Sequence, residues 1–313
     1  LHADLILKAL DKWKIKPEEI DVIASHGQTI YHAPKSLHRL AGYPNGTLQI
    51  GDGDHIAVKT GIITICDFRQ KHIAAGGEGA PLAVYGDYLL FSKQGENRIM
   101  LNIGGIANFT YLSGDGDAGK MFSTDVGPGN TIMDQFIQKN YSGLYFDEGG
   151  RLAMDGTVNE KLLSALLDLE FFNANFPKTT GPELFNLTYL EKAQAKSNTA
   201  DISNEDVMAT LNRFTGQVIV NAISVAKKGN TDNPVAVYLS GGGMHNSVLC
   251  SFLKGSLPEV QFYTTADLGI EPDAKEAVLF ALLANETLVG EGIGFGNGED
   301  VPAVNMGKIC FPY

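Results

Sequence analysis

The residue that most needs a chemical explanation is Asp125, in the stretch FSTDVGPGN at 122–130. Gly127, Pro128, Gly129 and Asn130 supply what a stiff, tight turn requires, because they set or tolerate the backbone angles involved. The turn itself has no need of a carboxylate at the end of the strand that enters it. Two uses are open at this level: a fixed base that removes a proton from a substrate, or an Asx turn bonded to its own backbone. Three glycine-rich loops accompany it: NIGGIAN at 102–108, DVGPGN at 125–130 and LSGGGMHN at 239–246. Glycine lets a phosphate approach the main chain, and a following helix offers unpaired N–H groups to it. Each loop taken singly is equally a tight turn, AAGGEGAPL at 74–82 reads as a helix entry, and a lone polar residue such as Asn108 more often satisfies backbone than holds a ligand.

Several chemistries are excluded by pattern. No Gly-Lys-Ser/Thr follows any of the loops, and none is a G-x-G-x-x-G in a dinucleotide setting. His26, His32, His38 and His245 form no His-x-x-x-His pair, so no protein-built metal centre is expected. There is no G-x-S-x-G nucleophile elbow. The residues alone point to a phosphotransferase with phosphate-accepting loops and one framed aspartate.

The elements that must position these residues alternate between α and β. IDVIAS and IITIC (62–66) read as short buried strands, NRIMLNI runs into a second strand in GGIANFTYL, and VAVYLS enters the loop at 239–246. The segment SNEDVMATLNRFTGQVIVNAISVAKKGN reads as a long helix with Ser203 and Asp206 at its start and Gly229 as its stop, and 272–288 reads as another. With 313 residues, the chain has room for two domains of about 150 residues each. The break at KQGEN (93–97) divides a first lobe, 1–96, from a second, 97–288, with the tail 289–313 returning to the first. A net charge of −12 without a Lys/Arg cluster argues against a nucleic-acid partner. No apolar run reaches the about 20 residues of a membrane span. Cys66, Cys250 and Cys310 lack metal or redox spacing and fit reduced thiols in the cytoplasm.

In order along the chain stand SHGQTIYHAP (25–34), LQIGDGDHIAVKTGI (48–62), DFRQKHIAAGGEGAPL (67–82), LNIGGIANFT (101–110), TDVGPGNTIMD (124–134), PKTTGPELFN (177–186), LSGGGMHN (239–246) and GIEPDAKEAVLFALLA (269–284). Together they resemble the anhydro-N-acetylmuramic acid kinases of bacterial cell-wall recycling. The resemblance implies an α/β, two-lobed, actin-like ATPase (ribonuclease H-like) fold with ATP held between lobes. It also implies a reaction in which ATP, water and 1,6-anhydro-N-acetylmuramate give N-acetylmuramate 6-phosphate and ADP, with Mg2+ on the phosphates. By that resemblance Asp125 is the catalytic base. Asn102, Gly104, Gly105 and Asn108 belong to a phosphate loop, and Gly241, Gly242 and Gly243 to an adenosine-side loop. Arg69 is the cation for the sugar's lactyl carboxylate, or else part of a structural ion pair. Glu276 lines the sugar pocket or serves its helix N-terminus, and Asn130 orients the sugar or caps the next helix.

Three departures from the family pattern set the remaining expectations. A Gly-Thr-Ser-x-Asp-Gly phosphate hairpin is expected before Leu1, where the chain opens LHADLILKAL without Met, and without it this fragment would be inactive. His72 stands where an acid is expected and Pro182 where an arginine is expected. The alternatives are therefore a catalytically inactive binder of sugar or nucleotide, or a kinase for another hexose or amino sugar. The oligomeric state stays open, a homodimer included.

Overall fold

The computed structural model describes residues 1–228, 233–292, 294–295 and 302–313. The chain forms two compact units, Leu1–Leu90 with Asp117–Met121 and Ala274–Tyr313, and Phe91–Gly116 with Phe122–Asp273.

The first unit is built on a three-stranded sheet. β1 (Ile23–Ser25) lies parallel to the central β4 (Thr64–Cys66), and β10 (Lys308–Cys310) runs antiparallel to β4 on its other side. A separate antiparallel pair joins β2 (Gln28–Ala33) to β3 (Gly46–Ile50). β4 is buried along its whole length, Thr64 included, so its residues do not alternate between core and solvent. Helix Lys275–Val289 packs on β1, and its Phe280 ring lies 4.6 Å from the His26 ring and 5.3 Å from that of Phe68. This corrects the expected boundary, because the helix read into the second lobe belongs to the first unit. Sequence order placed it beside the strands it follows, whereas its apolar face is matched to β1.

The second unit carries a five-stranded sheet in the order β7-β6-β5-β8-β9: Phe122–Pro128, Ile106–Leu112, Asn97–Ile103, Val235–Ser240 and Gln261–Thr264. β5, β6 and β7 form an antiparallel meander, while β8 and β9 run parallel to β5. Parallel neighbours need crossovers. Helix Ser247–Ser256 makes the one between β8 and β9, and the 25-residue helix Asn204–Lys228 precedes β8. That long helix buries Val207, Leu211, Phe214, Val218 and Ile219 in the main core, with Ile99, Leu101, Ile103 and Phe109 of the sheet. Half of the expected cap forms: the Asp206 N–H donates to Ser203 Oγ at 3.1 Å, whereas the Asp206 carboxylate accepts the Thr157 N–H at 2.7 Å and, among the described residues, does not turn back to Ser203. Gly229, its expected stop, lies outside the described residues.

Candidate active site

In the second unit a polar row crosses four strands. Ser240 on β8 is registered with Asn102 on β5, Asn102 with Asn108 on β6, and Asn108 with Asp125 on β7. Residues directly opposite each other on neighbouring strands share one face of a sheet. The flanking residues Leu101, Ile103, Ala107, Phe109 and Val126 are buried in the core. The sheet thus presents Asn102, Asn108 and Asp125 side by side.

The two glycine loops next to this row are fastened to each other. The N–H groups of Gly129 and Thr131 donate to the Gly105 carbonyl at 2.9 and 3.1 Å, and that of Asn130 donates to the Gly104 carbonyl at 2.8 Å. Contact is close enough that a Cβ on Gly129 would stand 2.2 Å from Gly104 O. Gly241, at φ +79°, lies against Asn102 in the same way, since a Cβ there would stand 2.5 Å from Asn102 Oδ1 and 2.8 Å from Ile103 O. At Gly243 it would meet the Ile103 side chain at 2.2 Å. Asn102, Gly104, Gly105, Asn108, Asp125, Asn130 and Gly241–Gly243 are therefore gathered in one place. Asn130 precedes helix Thr131–Asn140 but makes no side-chain cap; its Nδ2 donates to the Ile103 carbonyl at 3.4 Å. The capping role considered for it is not the one it has.

Asp125 makes no Asx turn. Its Oδ2 accepts the Thr180 N–H at 2.8 Å, from a loop 55 positions later, and its own N–H donates to Lys178 O at 2.9 Å. Thr124 ties down the same loop, because its Oγ accepts the Lys178 N–H at 3.0 Å. Oδ1 has no hydrogen bond among the described residues. Burial raises the Asp125 pKa above the ordinary aspartate value, the Thr180 N–H opposes that rise, and Glu183 adds to it. One helical turn past the second glycine loop, burial pushes Asp134 up to about 6. Lys178 is a structural cation, with Nζ on the Phe171 carbonyl at 2.8 Å and over the Phe171 ring.

Arg69 and Glu276 belong to the first unit. The Arg69 Nε–H donates to His26 Nε2 at 2.8 Å and Nη1 donates to the Gly79 carbonyl at 2.7 Å. No carboxylate bonds to Arg69 among the described residues, so the structural ion pair considered for it is absent. The Nη2 end of its fork makes no hydrogen bond among the described residues. Glu276 is exposed in the first turn of its helix and acts on Arg69 and His26 through charge. His72 is fully buried, accepts the Gly79 N–H on Nδ1 at 2.9 Å, and is held neutral by burial and Arg69, its pKa down at about 4. In place of the expected acid, this histidine braces the loop that holds Arg69. Pro182 is exposed and accepts from Asn186 through its carbonyl at 3.2 Å.

Residue reading missed Thr180, His26 and Gly79. Thr180 and Gly79 contribute main-chain atoms, which carry no side-chain signature; His26 was weighed only as a metal ligand. All three sit inside sequence blocks that carried the family resemblance.

A family model described as anhydro-N-acetylmuramic acid kinase matches residues 1–293. The anhydro-N-acetylmuramic acid kinase of Pseudoalteromonas translucida is 55% identical over 312 residues, 99% of this chain and 77% of that protein. The enzyme of the same name from Caldanaerobacter subterraneus subsp. tengcongensis is 40% identical over 314 residues, 99% of this chain and 78% of that protein. Among solved structures, xylulose kinase from Rhodospirillum rubrum aligns at 13% identity over 87% of this chain and 52% of that one, with a TM-score of 0.39.

Proposed function

The chain belongs to the anhydro-N-acetylmuramic acid kinase family, and from that premise we propose that Asp125 is the base of its reaction and Arg69 its substrate cation. The family fold is the α/β actin-like ATPase, and the activity is an ATP-dependent kinase reaction of peptidoglycan recycling. In anhydro-N-acetylmuramic acid O6 is bonded to C1, so the sugar has no free 6-hydroxyl to phosphorylate. Water attacks C1, the C1–O6 bond breaks, and O6 takes the γ-phosphoryl group while ADP leaves. The attacking water must lose a proton, which calls for one carboxylate, fixed in direction and ionised at working pH.

Asp125 meets that need through one observation above all. A backbone N–H holds Oδ2, while Oδ1 of the same half-buried carboxylate is unengaged among the described residues. A raised pKa makes it a better proton acceptor. A second carboxylic acid, as in ordinary glycosidases, is not needed when the phosphoryl group captures the departing O6. Gly104 and Gly105 would admit the phosphates, Gly241–Gly243 the adenosine side, and Asn102 lies against both loops. Arg69 would take the lactyl carboxylate through its open fork. Glu276 in the first unit and Asn130 in the second are each proposed as a further sugar-contacting residue.

Mg2+ fits as an ion carried by the nucleotide. Among the described residues no three His, Cys, Asp or Glu side chains gather as a metal site. Mg2+ commonly takes most of its ligands from phosphates and water. Asn102 and Asn108 would hold its waters, and the ion would neutralise phosphate charge. Among the described residues no helix is long and apolar enough to cross a membrane. A cytoplasmic site of action is part of this proposal, because ATP is the co-substrate. The test of this reading is Asp125→Asn: it should bind both substrates and lose turnover, whereas near-normal turnover removes Asp125 from the chemistry.

A further inference from the structure

We infer that His26 is the residue that orients the Arg69 guanidinium, and that it does so only while its imidazole is neutral. The inference rests on the reading of Arg69 as the substrate cation.

β1 and β4 are parallel neighbours with Ser25 registered to Cys66, so His26 and Arg69 leave the sheet at the same end. The bond between them has a fixed polarity. A guanidinium has five N–H donors and no acceptor, so His26 Nε2, 2.8 Å from Arg69 Nε, must carry a lone pair. The other ring nitrogen, Nδ1, lies 2.9 Å from the Gly27 carbonyl and must carry the proton. The tautomer is thereby determined by its two partners. Gly27 cannot swing away to relax this arrangement: at φ +75° its α-carbon is packed so that a Cβ would stand 2.5 Å from Ile50 O. The imidazole also lies against Phe280, with ring centroids 4.6 Å apart and the planes tilted by 33°.

The charged groups facing His26 are Arg69, from the segment after β4, and Glu276, from helix Lys275–Val289. Burial and Arg69 hold its pKa below the ordinary histidine value, against the opposing pull of Glu276. A proton on Nε2 would replace an acceptor by a donor and put two cations face to face. Arg69 would then keep only its bond to Gly79 O, and its fork would be free to turn about that contact. His26 thus couples sugar binding to pH, with binding lost as pH falls through a value below the ordinary 6.5.

The experiment measures KM for anhydro-N-acetylmuramate and for ATP, with kcat, from neutral to acid pH, in the wild type, His26→Gln, His26→Leu and Arg69→Ala. The imidazole 15N shifts of the wild type accompany it. Glutamine can place a non-titrating carbonyl oxygen near the position of Nε2. His26→Leu should raise the sugar KM about tenfold or more, the scale of a hydrogen bond to a charged group, with the ATP KM little changed. His26→Gln should restore the neutral-pH sugar KM and abolish its rise in acid. The inference is overturned if His26→Leu leaves the sugar KM within about twofold while Arg69→Ala raises it, or if His26→Gln keeps the wild-type acid rise. If Arg69→Ala itself leaves the sugar KM unchanged, it is the Arg69 reading that fails. His26 is then judged by its shifts, which show a neutral Nδ1–H ring at neutral pH if the orientation is right and any other form if it is wrong.

Discussion

The two candidate regions hold their key charges by different means. Asp125 is framed by main chain: a registered strand row, two glycine loops bonded to each other, and a backbone N–H on one carboxylate oxygen. Arg69 is framed largely by side chains, with one histidine accepting from it and a second bracing the loop whose carbonyl it also meets. A main-chain frame is insensitive to pH and intolerant of added volume. A histidine frame responds to protons. The comparison predicts how each region fails.

The largest effect is expected at Asp125. Asp125→Asn should lower kcat at least about a hundredfold with KM values little changed, because a positioned base contributes roughly 10²–10⁴ in rate. Steady-state kinetics with both substrates would show it. Next comes Gly129→Ala, whose methyl would meet the Gly104 carbonyl at 2.2 Å. Forcing volume into such packing costs about 1–3 kcal/mol, and the two loops should part, seen as a lower denaturation midpoint and a raised ATP KM. Unchanged values would mean that the loops are not locked together. Arg69→Ala should raise the sugar KM well beyond any change for ATP; equal changes would return Arg69 to a structural role.

The acid limb of kcat separates the regions further. A base works only when ionised, and burial raises the Asp125 pKa, so activity should be lost as pH falls through a value above the ordinary 3.8. That loss should appear in kcat, whereas the His26 effect appears in the sugar KM. The smallest effect is at Asp134, pushed up to about 6 by burial. A carboxyl that binds its proton more tightly when folded favours folding below its unfolded pKa, and this contribution is lost as pH rises through about 6. Asp134→Asn should therefore raise stability at pH 7 by about 1 kcal/mol or less, after allowance for solvent screening, and give no gain near pH 4. Chemical denaturation at the two pH values checks it.

Much of this was legible in the sequence for identifiable reasons. Buried strands announce themselves as apolar runs, so β4 and β8 were visible in IITIC and VAVYLS. Glycine loops are visible because the demand for a missing side chain is written in the residue itself. The partners of the charges were not visible. Thr180 reaches Asp125 with a main-chain N–H from 55 residues away, and any residue type but proline carries that group. Helix Lys275–Val289 was assigned to the wrong lobe because an amphipathic pattern reports that a face is buried but not what covers it. His26 was overlooked because a lone histidine has no periodic partner, and its meaning depends on two atoms brought near by β1 and β4.

The account depends most on Asp125 delivering a water molecule to the anomeric carbon. Running the reaction in H2(18)O and quenching it before the hemiacetal exchanges tests this directly by mass spectrometry. The label should appear at O1 of N-acetylmuramate 6-phosphate and not in the phosphate, and Asp125→Asn should suppress its appearance together with turnover. Product formed without label at O1, or labelled at full rate by Asp125→Asn, would contradict it.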